Sequence, residues 1–551
     1  MTRTPRSSLK KHDATAGSRA AKARRNRTTT QIRKDKRRDA VQAKRRRLMS
    51  GDDVELTGRS IDELVAILSG KGDASHQEQY DVLREVRALL AKHERDFEAV
   101  EKVIDSGLVP VLVTLLNSAS PLATATRTGG EVYKEVLWCL TNIASGQYEH
   151  TKLVLPAVPR LLQFVEGSNH TLAEHAAWVL GNVAADCDEF RQQLIHNGAI
   201  VPLVKQLAGG VNKELAKTSA WALSNLARGH DTSAKPFVDA GIIPVVVSGL
   251  QQGRPQAFDD AIVIEVAWLL SFLTAREEEY LKLWLENGLI DLLLPFFTTS
   301  DEILLTPLLR VFGNVCCGSS DHHTDEWQMP FIQRLLQGES VFLRKLFEFM
   351  QPDVPATHAH LAAESAWVLS NLATLDASVV DLVLQAGFLP LLGHHFHSGS
   401  YEVRREVAFA LTNIALTSPV HLEQVLSLDV LKIYLQLLNA ADVGVVGNSL
   451  RLVENVLRVA PNGVSLVESH GGIEAIENVQ YQSEEAHLSQ WAEALVNEFY
   501  GENYGINSPP SLGAVGGPIP DFASFQLPPQ ADDGAAGRGR GAHMTTPAWK
   551  K

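Results

Sequence analysis

The stretch EHAAWVLGNVAADCDEF, residues 174–190, sets a tryptophan four residues before an asparagine inside an apolar run. On a helix, positions i and i+4 lie one turn apart on the same face. A single helical tryptophan is ordinarily core packing. This one has copies: EVLWCLTNIASG (135–146), HAAWVLGNVAAD (175–186), TSAWALSNLARG (218–229), EVAWLLSFLTAR (265–276), PLLRVFGNVCCG (307–318), ESAWVLSNLATL (364–375), EVAFALTNIALT (406–417) and SLRLVENVLRV (449–459). With the asparagine or its replacement as a ruler, the marks fall at 142, 182, 225, 272, 314, 371, 413 and 455, in steps of 40, 43, 47, 42, 57, 42 and 42. The long step predicts an insertion near residues 320–358.

A period near 42 belongs to helical repeats of the armadillo or HEAT type and is too long for tetratricopeptide or ankyrin units. Between the copies recur GLVPVLVTLL (107–116), GAIVPLVKQL (198–207), GIIPVVVSGL (241–250) and GFLPLLGHHF (387–396). Glycine ends one short helix, and proline sits in the first turn of the next, where its missing N–H does no harm. Each unit therefore reads as short helix, glycine break, apolar helix, then the Trp/Asn helix. Stacked units share one continuous core and wind into a superhelix with a long groove. Residues 80–116 read as a degenerate first repeat, and 471–500 as a last one with a polar capping face. The expected fold is an all-α, right-handed superhelical solenoid of about ten repeats over residues 60–500.

The ends differ from this middle. Residues 1–50 carry 18 Lys or Arg against three Asp, while the other 501 residues carry 33 basic and 61 acidic ones. Residues 1–55 are therefore expected to be a basic arm, disordered when free, and residues 501–551, rich in Gly and Pro, a disordered tail. A basic arm and an acidic body attract one another, or outside partners of opposite sign. The amino terminus lacks the apolar core of a secretory signal and the apolar residues for an amphipathic presequence. No apolar run approaches a membrane span. The four cysteines, Cys139, Cys187, Cys316 and Cys317, form no zinc spacing and are expected as buried thiols in a reducing compartment.

Stacking would align Trp138/Asn142, Trp178/Asn182, Trp221/Asn225 and Trp367/Asn371 into a ladder of indoles beside a ladder of amides. One reading makes the indoles inter-repeat core and the amides local backbone caps. The other makes a groove: amides that donate to and accept from an extended peptide, and slots between indoles for the stems and charges of Lys and Arg. Acidic neighbours then select a basic peptide.

A WxxxN ladder on armadillo repeats behind a basic arm resembles the importin-alpha family, the adaptors for nuclear localisation signals. The resemblance covers residues from about 20 to 500. It implies a major peptide site at Trp138, Asn142, Trp178, Asn182, Trp221 and Asn225, extended by Glu265 and Trp268, with a lysine pocket built from Gly146, Thr151 and Asp186. Thr218, His175 and Phe272 stand at positions flanking or replacing the pattern. A minor site is implied at Arg310, Asn314, Glu364, Trp367, Asn371, Glu406, Phe409 and Asn413. Phe409 offers a weaker cation–π face than tryptophan, so that site is expected to be the weaker one. Arg310 is expected to separate the two.

The arm resembles an importin-beta-binding segment. The resemblance assigns that role to Arg24, Arg25, Arg27, Arg33, Lys34, Lys36, Arg37, Arg38, Lys44, Arg45, Arg46 and Arg47. The KRRR cluster at 44–47 also looks like a localisation signal, and tethered it would compete for the chain's own groove at roughly millimolar effective concentration. The partners implied are basic cargo peptides, importin-beta and an export receptor at the last repeat, where Glu484 and Glu485 lie; no direct nucleic acid partner is expected. The implied location is shuttling between cytoplasm and nucleus. No P-loop, GxSxG or HExxH motif is present, so no enzyme, metal or cofactor is expected. The histidine clusters Asp321/His322/His323 and His394/His395/His397 lack ligand spacing. A signalling-type armadillo scaffold is the competing reading, and the acidic body argues against the basic groove such scaffolds use.

Overall fold

A computed structural model describes residues 57–501, apart from the short segments 71–72, 93–97, 117–128, 210–211, 229–231, 252, 254–256, 318–324, 339, 354 and 356–357. The basic arm and the Gly/Pro-rich tail lie outside the described residues. The described chain is helical, with no strand among the described residues. It divides into two compact units that meet in the sequence at Val315/Cys316.

In the first unit the Trp/Asn segments form the helices Gly129–Ala144, His170–Asp186, Lys213–Leu226, Asp260–Leu273 and Glu302–Val315, each packed on the next. We refer to these as ladder helices. Their starts follow from local chemistry. Asn169, Asn212 and Asp259 cap three of them, each side-chain oxygen accepting a main-chain N–H of the first turn. Between ladder helices the expected glycine break appears: Gly107, Gly198, Gly241 and Gly288 all sit at positive φ, between 77° and 81°, which a side chain would strain. Leu108–Leu115, Ile200–Ala208 and Ile242–Leu250 follow as the apolar helices.

The first repeat begins earlier than expected. Ser60 and Glu63 form a capping box that opens helix Ile61–Leu68, and helix His76–Lys92 then packs on Gly129–Ala144 in the ladder position. The expected unit 80–116 therefore straddles two repeats.

In the second unit Ala359–Leu372, Tyr401–Ala415 and Val443–Val459 continue the series, and Gly472–Gln482 packs on the last helix, Ala486–Tyr500. The expected insertion at 320–358 contains ordinary repeat elements, helices Asp325–Leu336 and Val341–Phe349. Of the cysteines, Cys139 and Cys316 are buried and Cys187 and Cys317 are half-buried, so only the first pair fits the expectation of core thiols. Burial raises the Cys139 and Cys316 thiols far above the ordinary range.

Candidate functional site

The ladder exists, and four of its asparagines donate in register to main-chain carbonyls of the preceding repeat. Asn182 Nδ2 donates to the Thr141 carbonyl at 3.0 Å, Asn225 Nδ2 to Gly181 at 3.0 Å, and Asn314 Nδ2 to Ser271 at 3.0 Å. In the second unit Asn413 Nδ2 donates to the Ser370 carbonyl at 2.9 Å. Every acceptor is the residue just before the ladder position of the preceding repeat. The bonds clasp neighbouring repeats across their shared core. The feature is written in the sequence: the residues before the first seven ruler marks are Thr141, Gly181, Ser224, Ser271, Gly313, Ser370 and Thr412, all small, whereas the large Glu454 precedes the eighth. A small residue there lets the next helix approach the main chain. At Gly181 the approach is extreme, since a Cβ would fall 1.9 Å from the Trp221 ring. Asn455 breaks register: it donates to Ala415, not Thr412, at 3.1 Å.

The indoles are more buried than a face offered to solvent. Trp138, Trp178, Trp221 and Trp268 are between 2% and 8% exposed, and Trp367 is 1% exposed. Two of them carry a cation of their own chain. The Arg87 guanidinium lies 5.6 Å from the Trp138 ring centre, and Arg310 lies 5.4 Å from that of Trp268. His175 packs 5.5 Å from Trp138 on centroid distance. Arg87 is held by buried Glu135 at 3.0 Å. Sequence reasoning found Arg310 and missed Arg87, which reads as an ordinary charge on helix His76–Lys92.

Of Gly146, Thr151 and Asp186, the last two are in direct contact. Thr151 is fully buried and its Oγ1 donates to Asp186 Oδ2 at 2.7 Å. Gly146 leaves room for His150, whose Nδ1 would lie 2.4 Å from a Cβ there. Asp186 is half-buried and is the last residue of helix His170–Asp186. The partial negative charge of a helix C-terminus disfavours a carboxylate at that place. Among the described residues no cation is ion-paired with it.

Thr218, Phe272 and Asn225 are buried within the first unit, and Glu265 is half-buried. Phe272 has no amide to donate, so Ser224, the small residue of the preceding repeat, receives no ladder clasp from it. Arg310 and Asn314 belong to the first unit; Glu364, Trp367, Asn371, Glu406, Phe409 and Asn413 belong to the second. Glu364, Trp367, Asn371 and Glu406 are buried, while Phe409 and Asn413 are half-buried. Glu406 accepts from Arg405 at 3.0 Å, and Arg405 also reaches Asp442 at 3.5 Å, so this acid already holds a cation of its own chain. The twelve arm residues from Arg24 to Arg47 lie outside the described residues, as do Asp321, His322 and His323. His394, His395 and His397 point their Nε2 atoms at Ser398, Met350 and Leu428 respectively, three separate partners.

The armadillo/beta-catenin-like repeat model matches residues 187–228. Importin subunit alpha-9 of Arabidopsis thaliana is 30% identical over 473 residues, covering 82% of this chain and 85% of its own. Importin subunit alpha-2 of Oryza sativa subsp. japonica is 30% identical over 469 residues, covering 82% and 84%. The chain belongs to the importin-alpha family. At family level that makes it a nuclear import adaptor. The crystal structure of an engineered protein, 24% identical, matches 79% of this importin-alpha chain and 98% of its own with a TM-score of 0.62, a likeness of fold. Among the described residues of this importin-alpha no single helix is long and apolar enough to cross a membrane.

Proposed function

We propose that this importin-alpha binds Lys/Arg-rich localisation signals along the ladder face, with Asp186 and Thr151 as the lysine-selecting pocket. One observation carries the reading: a half-buried carboxylate stands at the wrong end of a helix, oriented by a buried hydroxyl, and among the described residues it pairs with no cation. A lysine ammonium placed there completes a charge-assisted hydrogen bond, worth about 1.5–3 kcal/mol. Trp178 and Trp221 flank the pocket along the ladder and offer apolar walls to basic side chains. Glu265 and Trp268 extend the site, and Arg310 on Trp268 ends it. The second site, around Trp367, Asn371, Phe409 and Asn413, is the weaker, because Glu406 is spent on Arg405. The basic arm links the adaptor to importin-beta and, through residues 44–47, competes for the groove. An export receptor at the last repeat returns the chain to the cytoplasm.

The clasps support a second reading, in which the ladder serves only to hold repeats together and the chain is a scaffold for other peptides. Fluorescence anisotropy separates the two. A labelled KKKRK-type peptide is titrated with the full chain and with the full chain carrying Lys44, Arg45, Arg46 and Arg47 as alanines. Weak binding by the first and tight binding by the second supports groove and self-competing arm together. Equal tight binding keeps the groove and removes the self-competition. No binding by either leaves the scaffold.

A further inference from the structure

Arg228 lies three residues after Asn225, just beyond helix Lys213–Leu226, and is 5% exposed. Its Nη2 donates to Asn225 Oδ1 at 2.9 Å. Its Nε and Nη1 are buried and, among the described residues, have no hydrogen-bond partner. Among the described residues no carboxylate pairs with it. A buried guanidinium with two of its nitrogens unmet is costly, because five N–H donors leave water and few find acceptors.

The surroundings add positive charge. Arg191, 7% exposed, is close enough to repel Arg228, and burial together with that repulsion pushes the Arg228 guanidinium down to about 9. Arg276 Nη2 donates to the Ala227 carbonyl at 3.0 Å and to the Arg228 carbonyl at 3.3 Å. Two nearby acids are committed, Asp188 to Arg191 and Glu277 to the Ala234 amide at 3.1 Å, and Asp231 lies outside the described residues. Thr232, four residues on, keeps a buried hydroxyl that also lacks a partner. Three arginines thus gather at one helix end of a chain whose residues beyond 50 hold 61 acids against 33 bases. Among the described residues, Arg228 meets one acceptor, Asn225 Oδ1, and no carboxylate.

We propose that Arg228 is an anion site within the ladder: it takes a carboxylate or phosphate carried on the same peptide whose lysine enters the Asp186 pocket. This rests on the groove reading. The link to the peptide is Asn225, whose amide joins the ladder clasp at Gly181 to the Arg228 guanidinium. The two pockets, one acidic at Asp186 and one basic at Arg228, lie at matching ends of consecutive ladder helices. A peptide in the groove is therefore read for one anion at a fixed spacing from its basic run, and a uniformly basic peptide leaves the Arg228 donors unmet. A planar fork of donors suits a carboxylate or a phosphate.

The test is a coupling measurement on the full chain carrying alanines at Lys44, Arg45, Arg46 and Arg47, so that the arm does not compete. Labelled KKKRK-type peptides carry one Glu, one phosphoserine or one Ser at successive flanking positions, and are titrated against Arg228, Arg228→Gln and Arg228→Lys. The expected result is one position at which Glu or phosphoserine tightens binding at least about tenfold over Ser, the size of a charge-assisted bond. That gain is lost in Arg228→Gln and reduced in Arg228→Lys, which keeps the charge without the fork. Inorganic phosphate at constant ionic strength erases it. The Glu and phosphoserine arms decide between a carboxylate and a phosphate. If no position gains, or the gain persists in Arg228→Gln, the anion site is overturned while the groove stands. If even the Ser peptide fails to bind, the groove reading falls and takes this site with it. Should Arg228→Gln melt early, Arg228→Lys alone carries the comparison.

Discussion

The Thr151 hydroxyl is hydrogen-bonded to the Asp186 carboxylate at 2.7 Å, tying the turn after one ladder helix to the last residue of the next. The bond fixes one carboxylate oxygen; in the proposed pocket the other takes the lysine ammonium. Asp186→Lys is expected to remove basic-peptide binding, more than a hundredfold, with the melting temperature unchanged. Asp186→Asn should cost about 1.5–3 kcal/mol of binding, the loss of one charge-assisted bond. Thr151→Val leaves the charge and removes its orientation, and should cost about 1 kcal/mol. Anisotropy with a KKKRK-type peptide reads all three. Unchanged binding in Asp186→Lys removes the pocket.

The repeat architecture and the pairing of Thr151 with Asp186 were legible in the sequence for different reasons. The period survives because tryptophan, asparagine and the glycine breaks are written in residue type, and Gly198 or Gly241 must be glycine to hold positive φ. The pocket was reached through family resemblance, since nothing local says that Thr151 meets Asp186. Three features were not legible. The asparagines looked like peptide hooks, yet Asn182, Asn225 and Asn314 each spend an N–H on the preceding repeat. Arg87 and Arg228 carry no mark in the sequence, because burial of a basic side chain is a tertiary outcome with no local signature. The insertion at 320–358 looked like added structure because spacing counts residues and does not say which side of a helix the surplus occupies.

The Gly181 position sets the closeness of two repeats. Gly181→Ala drives a methyl into the Trp221 ring and moves the carbonyl that Asn225 uses. Overpacking of this kind costs about 1–3 kcal/mol. Stability in a repeat stack is a sum of local and neighbour terms, so the loss should appear as faster amide exchange in helices His170–Asp186 and Lys213–Leu226 before any global change. Exchange rates unchanged in both helices would show that the ring has room to move.

Asn182→Leu tests the clasp itself. It keeps volume and removes the second donor to the Thr141 carbonyl, which keeps the Ser145 N–H at 3.1 Å. The expected destabilisation is that of one net hydrogen bond, about 0.5–1.5 kcal/mol. Because Phe272 already supplies no amide at its own rung, Phe272→Leu should not show a comparable loss of hydrogen bonding. Comparing Asn182→Leu and Phe272→Leu by thermal melting and exchange separates the clasp from packing.

Glu135 gives the first unit a pH dependence of known sign. Burial raises its carboxyl above the ordinary value of 4.5, and Arg87, the largest opposing influence, only partly offsets this. The folded state therefore holds the Glu135 proton to higher pH than the unfolded state does. Where the folded chain binds more protons, stability falls as pH rises. The Glu135 contribution is thus most favourable below about 4.5 and declines as pH climbs from there through the raised folded value. Glu135→Gln removes the titration but leaves Arg87 over Trp138 with a neutral partner. The melting-temperature difference, wild type minus Glu135→Gln, should decrease between pH 4 and pH 7 as the wild type takes on the cost of a buried charge. A difference that stays flat over that range means the Arg87 pair fully compensates the burial. Arg87→Met supplies the converse: it strands Glu135 without its cation, costs about 3–5 kcal/mol at neutral pH, and should recover on acidification as the carboxyl takes up its proton.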